Sequence, residues 1–130
     1  MAIRLHRPKL LKATRYTVAW YVRLYPHLLL QRQAIIESSP GFPDVSARTT
    51  KVSDPTGLKV VRLEEITRKI DAIDHAKGTL PMEYRQPVWN NCLFGAPFPD
   101  YANIKTWKAY KNDFLYVVAF ELGLPLSEND

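Results

Sequence analysis

The stretch IKTWKAYKNDFLYVVAFELG, residues 104–123, decides how the rest of the chain reads. Ile104, Trp107, Lys111, Phe114, Val118 and Leu122 recur at steps of three and four, the spacing that gathers side chains on one face of an α-helix. Asn103 offers a capping oxygen just before this run, and Gly123 and Pro125 stop it. The spacing therefore predicts a helix over 104–121. Its core side carries Ile104, Trp107, the stem of Lys111, and Phe114. Lys105, Thr106, Lys108, Ala109 and Asn112 share another side of its first two turns.

Working outward, the same period recurs. Between Lys9 and Leu24, the residues Leu11, Thr14, Val18, Tyr21, Val22 and Tyr25 mark one face, with Lys12, Arg15 and Arg23 on the other. Pro26 lacks a backbone N–H, so it kinks this helix or begins a new one that carries Leu28, Leu29, Leu30, Ile35 and Ile36. SSPGFP ends it, and residues 38–53 read as a loop. Ser53 or Asp54 followed by Pro55 opens a long helix to about Lys77. Its predicted apolar stripe is Leu58, Val61 or Val60, Glu65, Ile66, Ile70 and Ile73; Glu64, Arg68, Asp71 and Asp74 form its solvated face. Pro81 opens a shorter helix through Trp89 and Cys92, with Pro87 straining its middle. No strand period appears. The expectation is an all-α protein, a small bundle of four to five helices with a C-terminal helix-turn-helix-like unit.

The chain has 130 residues, enough for one domain with a substantial core. Expected divisions are a basic arm at 1–8, a helical hairpin or kinked helix at 9–37, the loop, a helical DNA-binding-like region at 54–123, and an acidic tail at 124–130. A lone cysteine, Cys92, excludes an internal disulfide framework and a Cys-rich zinc site, and reads as a small core residue. His6, His27 and His75 are scattered. Asp71, Asp74 and His75 share a stretch of helix, but a solvated charge-mixed face accounts for them better than a metal. No phosphate-binding loop, zinc-protease or serine-hydrolase motif is present. Enzymatic activity, a cofactor and a membrane span are not expected, and no segment reads as a signal peptide.

The net charge of +5 is unevenly spread. Arg4, Arg7, Lys9, Lys12, Arg15, Arg23 and Arg32 precede the first acid, Glu37. A second basic group is Lys105, Lys108 and Lys111. Two cationic patches on a small domain point to a polyanion. The short helix, turn and longer helix at 80–123 match what a DNA-reading unit needs, because the N-terminal turns of such a helix enter the major groove. Lysine reads guanine or phosphate there, asparagine reads adenine, and threonine contacts base or backbone.

Three segments in order also resemble a known family. KATRYTVAWYVRLYPHLLLQRQAII, with its tyrosine-proline corner, SDPTGLKVVRLEEITRKIDAIDHAKGTLP, and IKTWKAYKNDFLYVVAFELGL are similar to RinA-like phage late-gene transcriptional activators. That family carries a C-terminal helix-turn-helix related to sigma-factor region 4. The resemblance spans roughly residues 9–124. It implies a regulator of phage or prophage genes that binds double-stranded DNA in the cytoplasm of a bacterial host. Lys105, Thr106, Lys108, Ala109, Lys111 and Asn112 would face DNA, and Arg4, Arg7, Lys9, Lys12 and Arg15 would hold phosphates. One stretch departs from the family. FGAPFPDYAN is short and Pro-rich where the first helix of the unit belongs, leaving Tyr101 and Ala102 as its remnant. That departure raises the alternative of a protein-interaction module that binds host RNA polymerase or another phage protein. Tyr16, Trp20, Tyr21, Leu28 and Leu29 are surplus apolar surface that serves either a homodimer or the core.

Overall fold

Pro26 sets the first corner. It has no N–H to donate, so the N-terminal helix breaks at Leu24 and restarts, giving α1 (Lys12–Arg23) and α2 (Tyr25–Ser38) as one kinked unit. The Leu28 amide bonds to the Leu24 carbonyl across the break. The computed structural model describes residues 6–38 and 55–127, with the side chains of residues 55 and 56 left aside. The Ser53 and Asp54 caps, the 38–53 loop beyond Ser38, Arg4 and the last three tail residues lie outside that set.

Three more helices follow: α3 (Pro55–Gly78), α4 (Met82–Phe94) and α5 (Ile104–Glu121). The protein is all-α, with no strand among the described residues. α5 packs on α1, α3 and α4, and α2 packs along α3. The core gathers Val18, Val22, Leu28, Ile66, Ile70, Ile73, Val88, Trp89, Phe114 and Val118 from all five helices. The stripe expected for α1 is the buried one. The stripe expected for α3 holds only in its second half: Leu58, Val60, Val61 and Glu65 are exposed, as are Leu30 and Ile36 of α2. The Lys59 ammonium on the Ser38 carbonyl ties the end of α2 to the start of α3, and among the described residues nothing buries these apolar side chains.

The Pro-rich connector holds no helix, as its short, proline-bearing sequence predicts. Residues 95–103 make an extended strap over the start of α5. Gly95 leaves α4 in the left-handed region (φ 74°), which suits glycine at a helix end. Trp107 is completely buried beneath the strap. The Phe98 ring lies parallel to it with centroids 5.4 Å apart, and Tyr84 and Tyr101 meet it edge-on at 5.1 and 5.2 Å. Trp107 Nε1 donates to the Pro99 carbonyl at 2.8 Å. Pro87 supplies the second anchor. It cannot donate to the Glu83 carbonyl four residues back, and the Tyr101 hydroxyl donates to that carbonyl instead. Replacing Trp107 by alanine removes the ring the strap is built on, and is expected to cost about 3–5 kcal/mol in urea unfolding.

The described part of the tail packs back on the body. Leu124 and Leu126 pack against the core, and the Leu126 carbonyl accepts from the Leu11 amide. The tail as far as Ser127 is therefore tied down where the N-terminal segment enters α1. Among the described residues no helix is long and apolar enough to cross a membrane.

Two groups set an alkaline limit. Burial pushes the Cys92 thiol from 9.0 up to about 11, against a smaller opposing pull from Lys111 and Arg23. Burial, then the hydrogen bond to Asp74, pushes the Tyr25 hydroxyl from 10.0 up to about 12. The fold favours both neutral forms, so this stability is complete below the unfolded values and is lost as pH rises through the folded ones. The denaturation midpoint is expected to fall between pH 9 and pH 11 from Cys92, and further toward pH 12 from Tyr25. Cys92 should react with a thiol reagent only as fast as the chain unfolds, which a labelling time course in increasing urea would measure.

Candidate nucleic-acid interface

Asp113 is an acid on α5, and it is buried. A buried carboxylate needs partners, and the N-terminal segment provides them. His6 Nδ1 lies 2.6 Å from one carboxylate oxygen, and the Arg7 amide donates to the other at 2.8 Å. The His6 ring also stands edge-on to Tyr110 at 4.9 Å. Asn112 continues the clamp: its Oδ1 accepts from the Leu10 amide, and its Nδ2 donates to the carbonyls of Arg7 and Pro8. From His6 onward the expected arm is therefore a docked segment lying along α5.

That docking creates a groove. A cavity of about 650 Å³ opens between the N-terminal segment, α1 and the first turns of α5. Arg7, Lys9 and Arg15 line one part of it, and Lys105, Lys108 and Lys111 another, with His6, Tyr16, Ala109, Asn112 and Leu115 between them. Two cationic patches that are about a hundred residues apart in sequence share one wall-to-wall site. No lining residue is acidic, and among the described residues none of the six Lys and Arg side chains makes an ion pair. The Asn103 side chain caps α5 by accepting from the Lys105 amide at 2.8 Å, which fixes the turn presenting Lys105 and Lys108. Both lysines are exposed.

Of the residues expected to face DNA, eight line the groove: Arg7, Lys9, Arg15, Lys105, Lys108, Ala109, Lys111 and Asn112. Lys12 and Thr106 lie outside its lining, and Arg4 is outside the described residues. Two of the eight are tied into the scaffold. Both amide hydrogens of Asn112 are engaged by the N-terminal carbonyls, so neither is left for an adenine. Lys111 is half-buried and donates to Asn91 Oδ1 at 2.8 Å, while Asn91 Nδ2 donates to the Ala96 carbonyl. It thereby braces the start of the strap. His6, Asp113, Tyr16 and Leu115 were missed by sequence reasoning. The one available signal was an acid spaced three after Tyr110 and four before Val117, on a line of α5 that is otherwise apolar.

The Asp71, Asp74 and His75 stretch is otherwise engaged. Asp74 accepts from the Tyr25 hydroxyl, and His75 Nδ1 lies 3.1 Å from Glu121. Among the described residues no group of three metal-ligating side chains converges. Comparison with protein-family models, curated proteins and solved structures finds no match to this chain.

Asp113→Ala removes the partner of both His6 and the Arg7 amide. Hydrogen exchange at the Arg7 and Leu10 amides should then accelerate by at least about tenfold, while core amides of α3 keep their protection.

Proposed function

We propose that this protein is a double-stranded DNA-binding regulator that seats the phosphate backbone in the groove between its N-terminal segment and the first turns of α5. The observation that carries the reading is the joining of Arg7, Lys9 and Arg15 to Lys105, Lys108 and Lys111 in one acid-free concavity. Six neighbouring cations with no ionic partner among the described residues repel one another, and a polyanion relieves that repulsion as it releases its counterions. Lys105 and Lys108 reach outward from the capped end of α5 and are the groups for phosphate or guanine edges. Lys111 and Asn112 act as positioning residues. The similarity of three ordered segments to RinA-like activators supports a role in phage or prophage gene control in a bacterial cytoplasm.

A second reading is favoured by the strap. With no helix between α4 and α5, the exposed side chains of Tyr101 and Ile104 flank the start of α5. A surface of that kind suits a protein such as host RNA polymerase. Titration against duplex DNA over a salt series separates the two. The DNA reading expects log affinity to fall linearly with log salt, and Lys105→Ala with Lys108→Ala to reduce that slope by about 2 without lowering thermal stability. Negligible affinity for all duplexes at low salt would overturn it.

A further inference from the structure

α1 buries Thr14, Val18 and Val22, so the opposite face should be polar. Instead it reads Lys12, Tyr16, Trp20, Arg23, at steps of four, four and three, and all four are exposed. Tyr16 and Trp20 are 63% and 60% accessible. Lys12 Nζ stands 5.9 Å from the centre of the Tyr16 ring. The row is ~16 Å long at 1.5 Å per residue, with a cation at each end and two aromatic faces between them. It is continuous with the groove, because Tyr16 belongs to both. No acid occurs in the chain before Glu37, so a phosphate strand leaving the groove along α1 meets none from this segment.

We infer that the Tyr16 and Trp20 face of α1 is a base-stacking site for single-stranded DNA, adjoining the cationic groove. The inference rests on the proposed function only for the phosphate track. Aromatic side chains stack on the faces of bases, and a duplex keeps those faces inside its own stack. Successive aromatics one helical turn apart, ~6 Å, match an unstacked strand better than the ~3.4 Å rise of a stacked one. Basic residues interleaved with exposed aromatics are the usual composition of a single-strand platform. A second copy of this chain fits the face poorly, since two such rows would bring like charges together.

Trp20 is also a reporter, because Trp89 and Trp107 are 8% and 0% accessible. Oligothymidylate titrated into the full chain should quench Trp20 emission, and the same length of blunt duplex should not. Trp20→Ala, outside the groove lining, should weaken oligothymidylate binding by about tenfold and leave duplex binding within about twofold. Lys105→Ala with Lys108→Ala should weaken the duplex more than the single strand. Duplex binding with no oligothymidylate binding would overturn this inference and leave the proposed function standing. Quenching by oligothymidylate with no duplex affinity would do the reverse. Equal losses for both ligands in Trp20→Ala would overturn the stacking role, as would a fall from dimer to monomer mass in sedimentation of that variant.

Discussion

The burial of Trp107 is the constraint from which the rest of the site follows. An indole that loses all contact with water needs both a shape to fill and a partner for its N–H. The connector meets both needs, with Phe98 parallel to the ring and the Pro99 carbonyl on Nε1. A helix in the same place would have its carbonyls engaged in its own ladder. The extended, proline-bearing strap leaves one free, and Pro87 in α4 leaves another for the Tyr101 hydroxyl. The prolines in and beside the connector thus fasten it. With the strap fixed, the start of α5 is fixed, and the Asn103 cap turns Lys105 and Lys108 toward the groove.

A second constraint acts on the opposite side of the same helix. Asp113 is buried, and the His6 ring and Arg7 amide complete its hydrogen bonding. Asn112 adds three backbone contacts next to it. A segment that composition alone would leave as a solvated basic arm is drawn onto α5, bringing Arg7 and Lys9 beside Lys105 and Lys108. The cationic groove is therefore a consequence of two anchoring polar residues, Asp113 and Asn112, not of attraction among cations. The cations themselves repel, and the anchor holds them together against that repulsion.

Much of the fold was legible in the residues, and the particular failures have physical causes. The bounds of α5, its Asn103 cap and the α1 stripe follow from local periodicity and capping, which depend on neighbours within a turn or two. The kink at Pro26 and the stop near Gly78 are local for the same reason. Leu58, Val60 and Val61 carry the correct period and are nonetheless exposed, because burial requires an opposing element and none among the described residues covers them. Asn112 illustrates the same gap at the site. Its spacing on the helix predicts a base-facing amide, yet that amide is saturated by Arg7 and Pro8, about a hundred residues earlier in the chain.

The sequence by itself determined that the chain is helical, where most of its helices begin and end, and that its charge is concentrated at the N-terminus and on α5. Those properties arise from the backbone preferences and side-chain spacing of adjacent residues. Only the tertiary structure decided that the two basic clusters meet, that the Pro-rich connector is a strap over Trp107, and that Tyr16 and Trp20 stay outside the core while Tyr21 and Leu28 enter it. These outcomes depend on which faces find a partner and which buried polar groups find a hydrogen bond, and both are set by segments far apart in the chain.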